Sequence, residues 1–256
     1  MPLYLIFHLA TSPTGSSRVV KNYAVDVPNL LSVPISLAIG FVLPSVLLSL
    51  PAPSVLSFDQ KQTFIAFWQM FPIWFEILQQ LVSFVLAKLL QGTLKSSTSP
   101  QKQSRRTMEA LRSVYIFALA IAGVTHITTV MLSMTSMLFP PLFAPQFRGQ
   151  LDPSNVFLTQ SVFASKPMSS IGAGALQLLR YDDMLGSIAL QLWAVALYLN
   201  TNLRTSKANS WTAMKVVSAF VGSTVLFGSC GCAVCCIWAR DELVFAEKDE
   251  DDRKSY

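Results

Sequence analysis

The amino-acid sequence predicts an all-α fold, a polytopic transmembrane helical bundle of about five to seven spans forming one membrane-embedded domain over residues 1–256. Three observations predict it. Of the 256 residues, 52% are hydrophobic and 13% charged, about half the ~25% charge content of soluble domains. Five stretches approach or exceed the ~20 apolar residues that a bilayer demands. The basic residues gather between those stretches, as topology determinants do.

Residues 2–10, PLYLIFHLA, are apolar but lack the basic residues that open a secretory signal. They are expected to be the end of a further helix, longer in relatives. Residues 29–50 carry no charge and contain Pro34, Gly40 and Pro44, which predicts a kinked first span. Residues 63–90 form the second, charged only at Glu76 and Lys88. Residues 113–139 form the third, with His126 at its centre. Residues 183–199 form the fourth, short unless it extends backward through 170–180. Asp182 and Asp183 suit its N-cap, as Asp59 suits that of the second. Residues 211–238 form the fifth, rich in Gly and Cys, with Lys215 near its entry.

The 92–112 connection carries Lys95, Lys102, Arg105, Arg106 and Arg112 against Glu109 alone, which places it in the cytosol. Alternation puts 11–28 and 200–210 on the same side, and 51–62 and 140–182 in the lumen. The 140–182 connection holds Phe143, Phe147, Phe157 and Phe163 among prolines. Such a long apolar loop is either an interfacial segment or a lid. The polar tail, 240–256, ends in KDEDDRKSY. It is expected to be solvated and disordered, and lumenal after five spans.

Several chemistries are excluded. The net charge of +5 is scattered through loops without a stripe of cations and aromatics, so no nucleic acid is expected. No P-loop, GxGxxG after a strand, HExxH or GxSxG occurs, and no Asp-rich magnesium run. A haem would find only His8 and His126. Cys230, Cys232, Cys235 and Cys236 lie together in the last span. A zinc site would need two more placed ligands, so they read as small interior or lipid-facing residues, with palmitoylation the alternative. No metal and no cofactor is expected.

Positions three, four or seven apart share a helix face. In the second span Gln69, Glu76, Gln80 and Ser83 form a polar stripe, crowded by Phe64, Phe67, Trp68, Phe71, Trp74 and Phe75. His126, Thr129, Ser133 and Ser136 form another in the third, and Asp183, Ser187 and Gln191 align in the fourth. Such stripes serve helix association, yet an acid at membrane depth marks function by default. Desolvation disfavours the charged form of a carboxyl group, and a carboxyl kept protonated serves as a general acid. Aromatic faces attract cations, and apolar walls exclude water. Together these suit a carbocation cyclisation. They also suit a proton-coupled transporter or channel subunit with Glu76 and His126 on its path, or a non-catalytic membrane scaffold.

Five segments narrow the choice: PLYLIFHLATSP at 2–13, SFDQKQTFIAFWQMFPIW at 57–74, VTHI at 124–127, LFAPQF with LDPSNVF between 142 and 157, and LRYDDMLGSIALQLWAVALY at 179–198. In that order, and over most of the chain, the sequence resembles the fungal integral-membrane terpene cyclases of meroterpenoid biosynthesis, the ascochlorin, ascofuranone and macrophorin type. The resemblance implies a cofactor-independent cyclase of the isomerase or lyase type in an endoplasmic-reticulum membrane. It would protonate an epoxide or alkene of a farnesyl-type chain on a hydrophobic prenylated substrate. It favours Asp182, through the pair Tyr181-Asp182, whereas Glu76 and His126 rest on the physical argument. The candidate catalytic residues are therefore Glu76, Asp182, Asp183 and His126. The candidate substrate-binding residues are Trp68, Gln69, Phe71, Trp74, Phe75, Gln80 and Trp193. Membrane lipid is the expected surrounding.

Overall fold

The computed structural model describes residues 26–95, 100–161, 170–205 and 210–254. The apolar run at 2–10 and Phe163 lie outside them. In chain order the helices are α1 Val27–Leu37, a π-helical turn Ala38–Val42, α2 Leu43–Ser49, α3 Phe58–Gln69, α4 Phe71–Lys95 and α5 Pro100–Leu138. After 3-10 turns at Pro140–Leu142 and Pro145–Phe147 come α6 Pro153–Phe157, α7 Ile171–Thr205 and α8 Ser210–Lys254. No strand occurs among the described residues. Five helical stretches are long and apolar enough to cross a membrane: Val27–Ser49, Phe71–Gly92, Lys102–Leu138, Ile171–Asn202 and Met214–Ala246. The all-α, membrane-spanning expectation holds.

The described chain forms two compact units. The first holds Leu119–Leu243, and the second holds the described residues of 26–118 with 244–254.

In the second unit, α1 and the π turn pack along α4, and α2 packs on α3. Proline explains the irregularity of the first span. Pro44 has no N–H to donate and its ring crowds the preceding turn. The chain widens there into a π turn, with Leu43 N–H donating to the Ala38 carbonyl five residues back. Gly40 is buried in that turn, where a Cβ would meet Leu78 Cδ1 at 3.2 Å and the Phe75 backbone at 3.3 Å. The two helices thus cross closely at a glycine, where a methyl group would be a tight fit.

The expected second span breaks in two. Pro72 cannot continue the hydrogen-bond ladder, and Met70 leaves helical geometry at φ −88°, ψ 12°. Trp74 repairs the break. Its indole N–H donates to the Phe67 carbonyl at 3.1 Å, and its ring stacks on Phe67 at 4.9 Å. Ser57 and Gln60 form a capping box at the start of α3, so Ser57 rather than Asp59 is the cap. The basic 92–112 connection is largely helical, since α5 begins at Pro100 and Arg105 pairs with Glu109 one turn on at 3.0 Å.

In the first unit, α7 begins far upstream of the aspartates. The Ser170 hydroxyl accepts from Ala173 N–H at 3.1 Å, an N-cap contact. Asp182 and Asp183 therefore lie inside the helix, three turns in, and cap nothing. The helix α8 extends through Lys254, where a disordered tail was expected. It is also two limbs rather than one rod. Buried Gly228 adopts φ 71°, ψ −175°, and the Cys232 thiol reaches the Phe220 carbonyl at 3.6 Å. In a continuous helix those residues would stand ~18 Å apart, so the chain doubles back at Gly228.

Candidate active site

The second unit holds Glu76, Gln80 and most of the aromatic candidates. On α4 the Gln80 amide Nε2 donates to Glu76 Oε1 at 2.9 Å, and both side chains are exposed. Beside α4, Phe41, Trp68 and Phe71 form a ring cluster with centroids 5.0 to 6.2 Å apart. The Trp68 indole N–H donates to Ser45 Oγ at 2.9 Å, fixing the ring. Trp74 is spent on the helix break, and Phe75 is packed under Gly40 through its backbone. Gln69, the last residue of α3, is exposed and separated from the Glu76 face by the break at Met70.

The polar stripe of the second span divides. Of its members Ser83 pairs the helices, together with Gln79, which lies outside the stripe. Gln79 Nε2 donates to the Asn29 carbonyl at 2.8 Å and to Ser32 Oγ at 2.7 Å. Ser83 donates to Asn29 Oδ1. Glu76 and Gln80 take no part in that contact and are exposed. Asn29, Ser32, Gln79, Phe41 and Ser45 escaped the sequence reading as partners. The signal for the first two was present: Asn29, Ser32 and Ser36 recur at helical spacing.

The first unit holds Asp182, Asp183, His126 and Trp193. Both aspartates are exposed, while His126 and Trp193 are half-buried. Among the described residues, no hydrogen bond or ion pair joins His126 to either aspartate. Gln160, in the segment after α6, is held by α7. The Gln160 carbonyl accepts from Gln177 Nε2 at 3.3 Å and from the Tyr181 hydroxyl. Gln177 and Tyr181 are one turn apart on α7, adjacent to Asp182. Farther back, Ser133 on α5 donates to the Leu151 carbonyl at 2.7 Å. Of the hydroxyls in the third-span stripe, Ser133 is the one that donates outside its own helix among the described residues. Thr129 and Ser136 donate to carbonyls of their own helix.

His126 lies against the α8 break. A Cβ on Gly228 would meet His126 Nδ1 at 2.9 Å, Cγ at 3.2 Å and Cε1 at 3.5 Å. One turn earlier on α5, Gly123 admits the Phe227 ring, 2.9 Å from where a Cβ would stand. The cysteines have a structural place there. Cys232 is fully buried and shares the Phe220 carbonyl with the Ser223 and Thr224 hydroxyls. No cluster of three or more metal-ligating side chains forms among the described residues.

Five long apolar helices define an integral-membrane α-helical protein, which carries an amide-tethered carboxyl group and fixed indole rings in one unit. Within that class, residues 1–245 match the CtvD domain model, and the chain belongs to that family. It is similar to terpene cyclase ascI of Acremonium egyptiacum, 30% identical over 99% of this chain and 61% of that relative. It is similar also to terpene cyclase penA of Penicillium crustosum, 27% identical over 84% of the chain and 54% of the relative. Terpene cyclase ctvD of Aspergillus terreus is 25% identical over 91% and 60%. The chain thus spans between about half and three-fifths of the length of these relatives. No solved structure matches.

Proposed function

We propose that the chain acts as a membrane-bound terpene cyclase on a farnesyl-type chain of a hydrophobic prenylated substrate in meroterpenoid biosynthesis, in an endoplasmic-reticulum membrane. One observation carries the reading: the carboxyl group of Glu76, held by Gln80 on an apolar span, in a family whose curated relatives are named terpene cyclases. An exposed carboxyl is costly in hydrocarbon, so the face that bears it is read as the face that meets substrate. Protonation of an epoxide or alkene creates a carbocation, and the π faces of Trp68 and Phe71 stabilise positive charge as it migrates. New C–C bonds form from the chain's own double bonds, and a final proton loss ends the cascade. Protons in and out balance, so the reaction is an isomerisation that calls for no cofactor.

Asp182 is the alternative proton donor, and Asp183 and His126 are further acid–base candidates, as terminating base or relay, with Trp193 on the same helix as the aspartates. Gln69 and Phe75 complete the substrate-binding set. The test is expression in yeast fed a farnesylated aromatic compound and its terminal epoxide, followed by mass spectrometry. A product of unchanged mass and altered retention is expected. Its loss in Glu76→Gln and in Asp182→Asn, with both proteins still accumulating in membranes, supports the assignment. Full product formation by both variants defeats it.

A second reading, a proton-coupled transporter, draws on the break at buried Gly228 beside His126, since discontinuous helices build transport sites. Proton or ion flux in reconstituted vesicles, with no cyclised product, would favour it.

A further inference from the structure

We infer that Gly228 is a positioning residue for His126, and that Nε2 is the atom through which His126 acts. The inference rests on the cyclase reading for its activity measurements and on the geometry alone for the rest. Four observations support it. Gly228 is buried and sits at φ 71°, a conformation that L side chains rarely adopt. The atoms nearest its missing Cβ are Nδ1, Cγ and Cε1 of His126, at 2.9, 3.2 and 3.5 Å. The imidazole therefore presents its Nδ1 edge to the glycine and keeps Nε2 on the far edge. The reversal is braced on both sides, by the Phe227 ring on Gly123 and by the Cys232 thiol on the Phe220 carbonyl. Finally, His126 has no hydrogen-bonding side chain holding it among the described residues, so packing against the Gly228 backbone sets the ring's place. Non-helical backbone at membrane depth is tolerated where protein buries it. Here the buried break makes room for an imidazole.

A double-mutant cycle tests this in the full chain, expressed in yeast membranes and extracted in detergent. Thermal unfolding and product formation are both measured. Gly228→Ala alone should lower Tm, because its methyl meets the ring and φ stays positive. In a His126→Ala background the methyl enters the space the ring left, so the Tm loss should shrink. For activity, Gly228→Ala should lower kcat by roughly tenfold, a coupling ordinary for contacting residues, with KM little changed. It should lower kcat no further once His126 is alanine. His126→Gln, whose amide reaches toward the Nε2 position, should retain more turnover than His126→Asn, which reaches only Nδ1.

Equal Tm losses in the two backgrounds overturn the contact. Equal fold-losses of turnover in the two backgrounds, or His126→Asn outperforming His126→Gln, overturn the positioning role. If Gly228→Ala does not accumulate, recovery of accumulation in the double variant supports the inference and continued failure overturns it. If the unmodified chain forms no cyclised product, the cyclase reading fails, while the Tm cycle still decides whether glycine and imidazole are coupled.

Discussion

On the proposed reading, Gln80 decides which oxygen of Glu76 would carry the transferable proton. Its amide occupies Oε1 at 2.9 Å, so a protonated carboxyl group presents its O–H from Oε2. Glu76→Gln removes that proton outright. Product formation should fall by roughly 10²-fold or more, the lower range of general acid catalysis. Gln80→Leu leaves the proton but not its aim, so kcat should fall by less, about tenfold, with KM nearly unchanged. Steady-state kinetics on the two variants checks the order. Glu76 was legible in the sequence because a lone acid in an apolar run has few innocent explanations. Gln79 was not. Adjacent glutamines differ by about 100° around a helix, and either phase gives a plausible polar stripe. Only the position of Asn29 and Ser32 on the neighbouring helix settles which one turns inward.

Between elements, the pairing of α1 with α4 rests on a narrow polar seam. Asn29, Ser32, Gln79 and Ser83 bond within it, while the hydroxyl of fully buried Ser36 has no hydrogen-bond partner among the described residues. Gln79→Ala should destabilise the detergent-extracted protein by about 1 kcal/mol, within the range of polar contacts between membrane helices. Ser36→Ala should be neutral or stabilising, because it removes an unsatisfied buried group. A fall in Tm for Ser36→Ala as large as that for Gln79→Ala would contradict this account of the seam. Composition revealed the spans but misplaced their ends. Pro72 lay in plain view within the second stretch, and apolarity alone ran through it. The fourth stretch was read as starting at the aspartates because they are good caps, yet Ser170 caps a helix that runs through two glycines before reaching them.

Across the whole chain, the number of apolar stretches was readable and the direction of the last one was not. Hydropathy counts residues without regard to heading. A straight helix over Met214–Ala246, 33 residues, would reach ~50 Å against a hydrocarbon core of ~30 Å. The reversal at Gly228 resolves that excess by folding α8 on itself. A topology reporter placed at Leu243 should therefore read the same side as one placed in the 206–209 connection. Opposite readings would show α8 crossing as a single rod. For the proposed cyclase activity, one contact bears on how it can diversify. Gln177 and Tyr181 grip the peptide oxygen of Gln160 and nothing of its side chain. A latch fastened to the main chain is indifferent to which amino acid it fastens. The side chain at position 160 can be exchanged, by evolution or by an engineer, while the contact to its carbonyl persists.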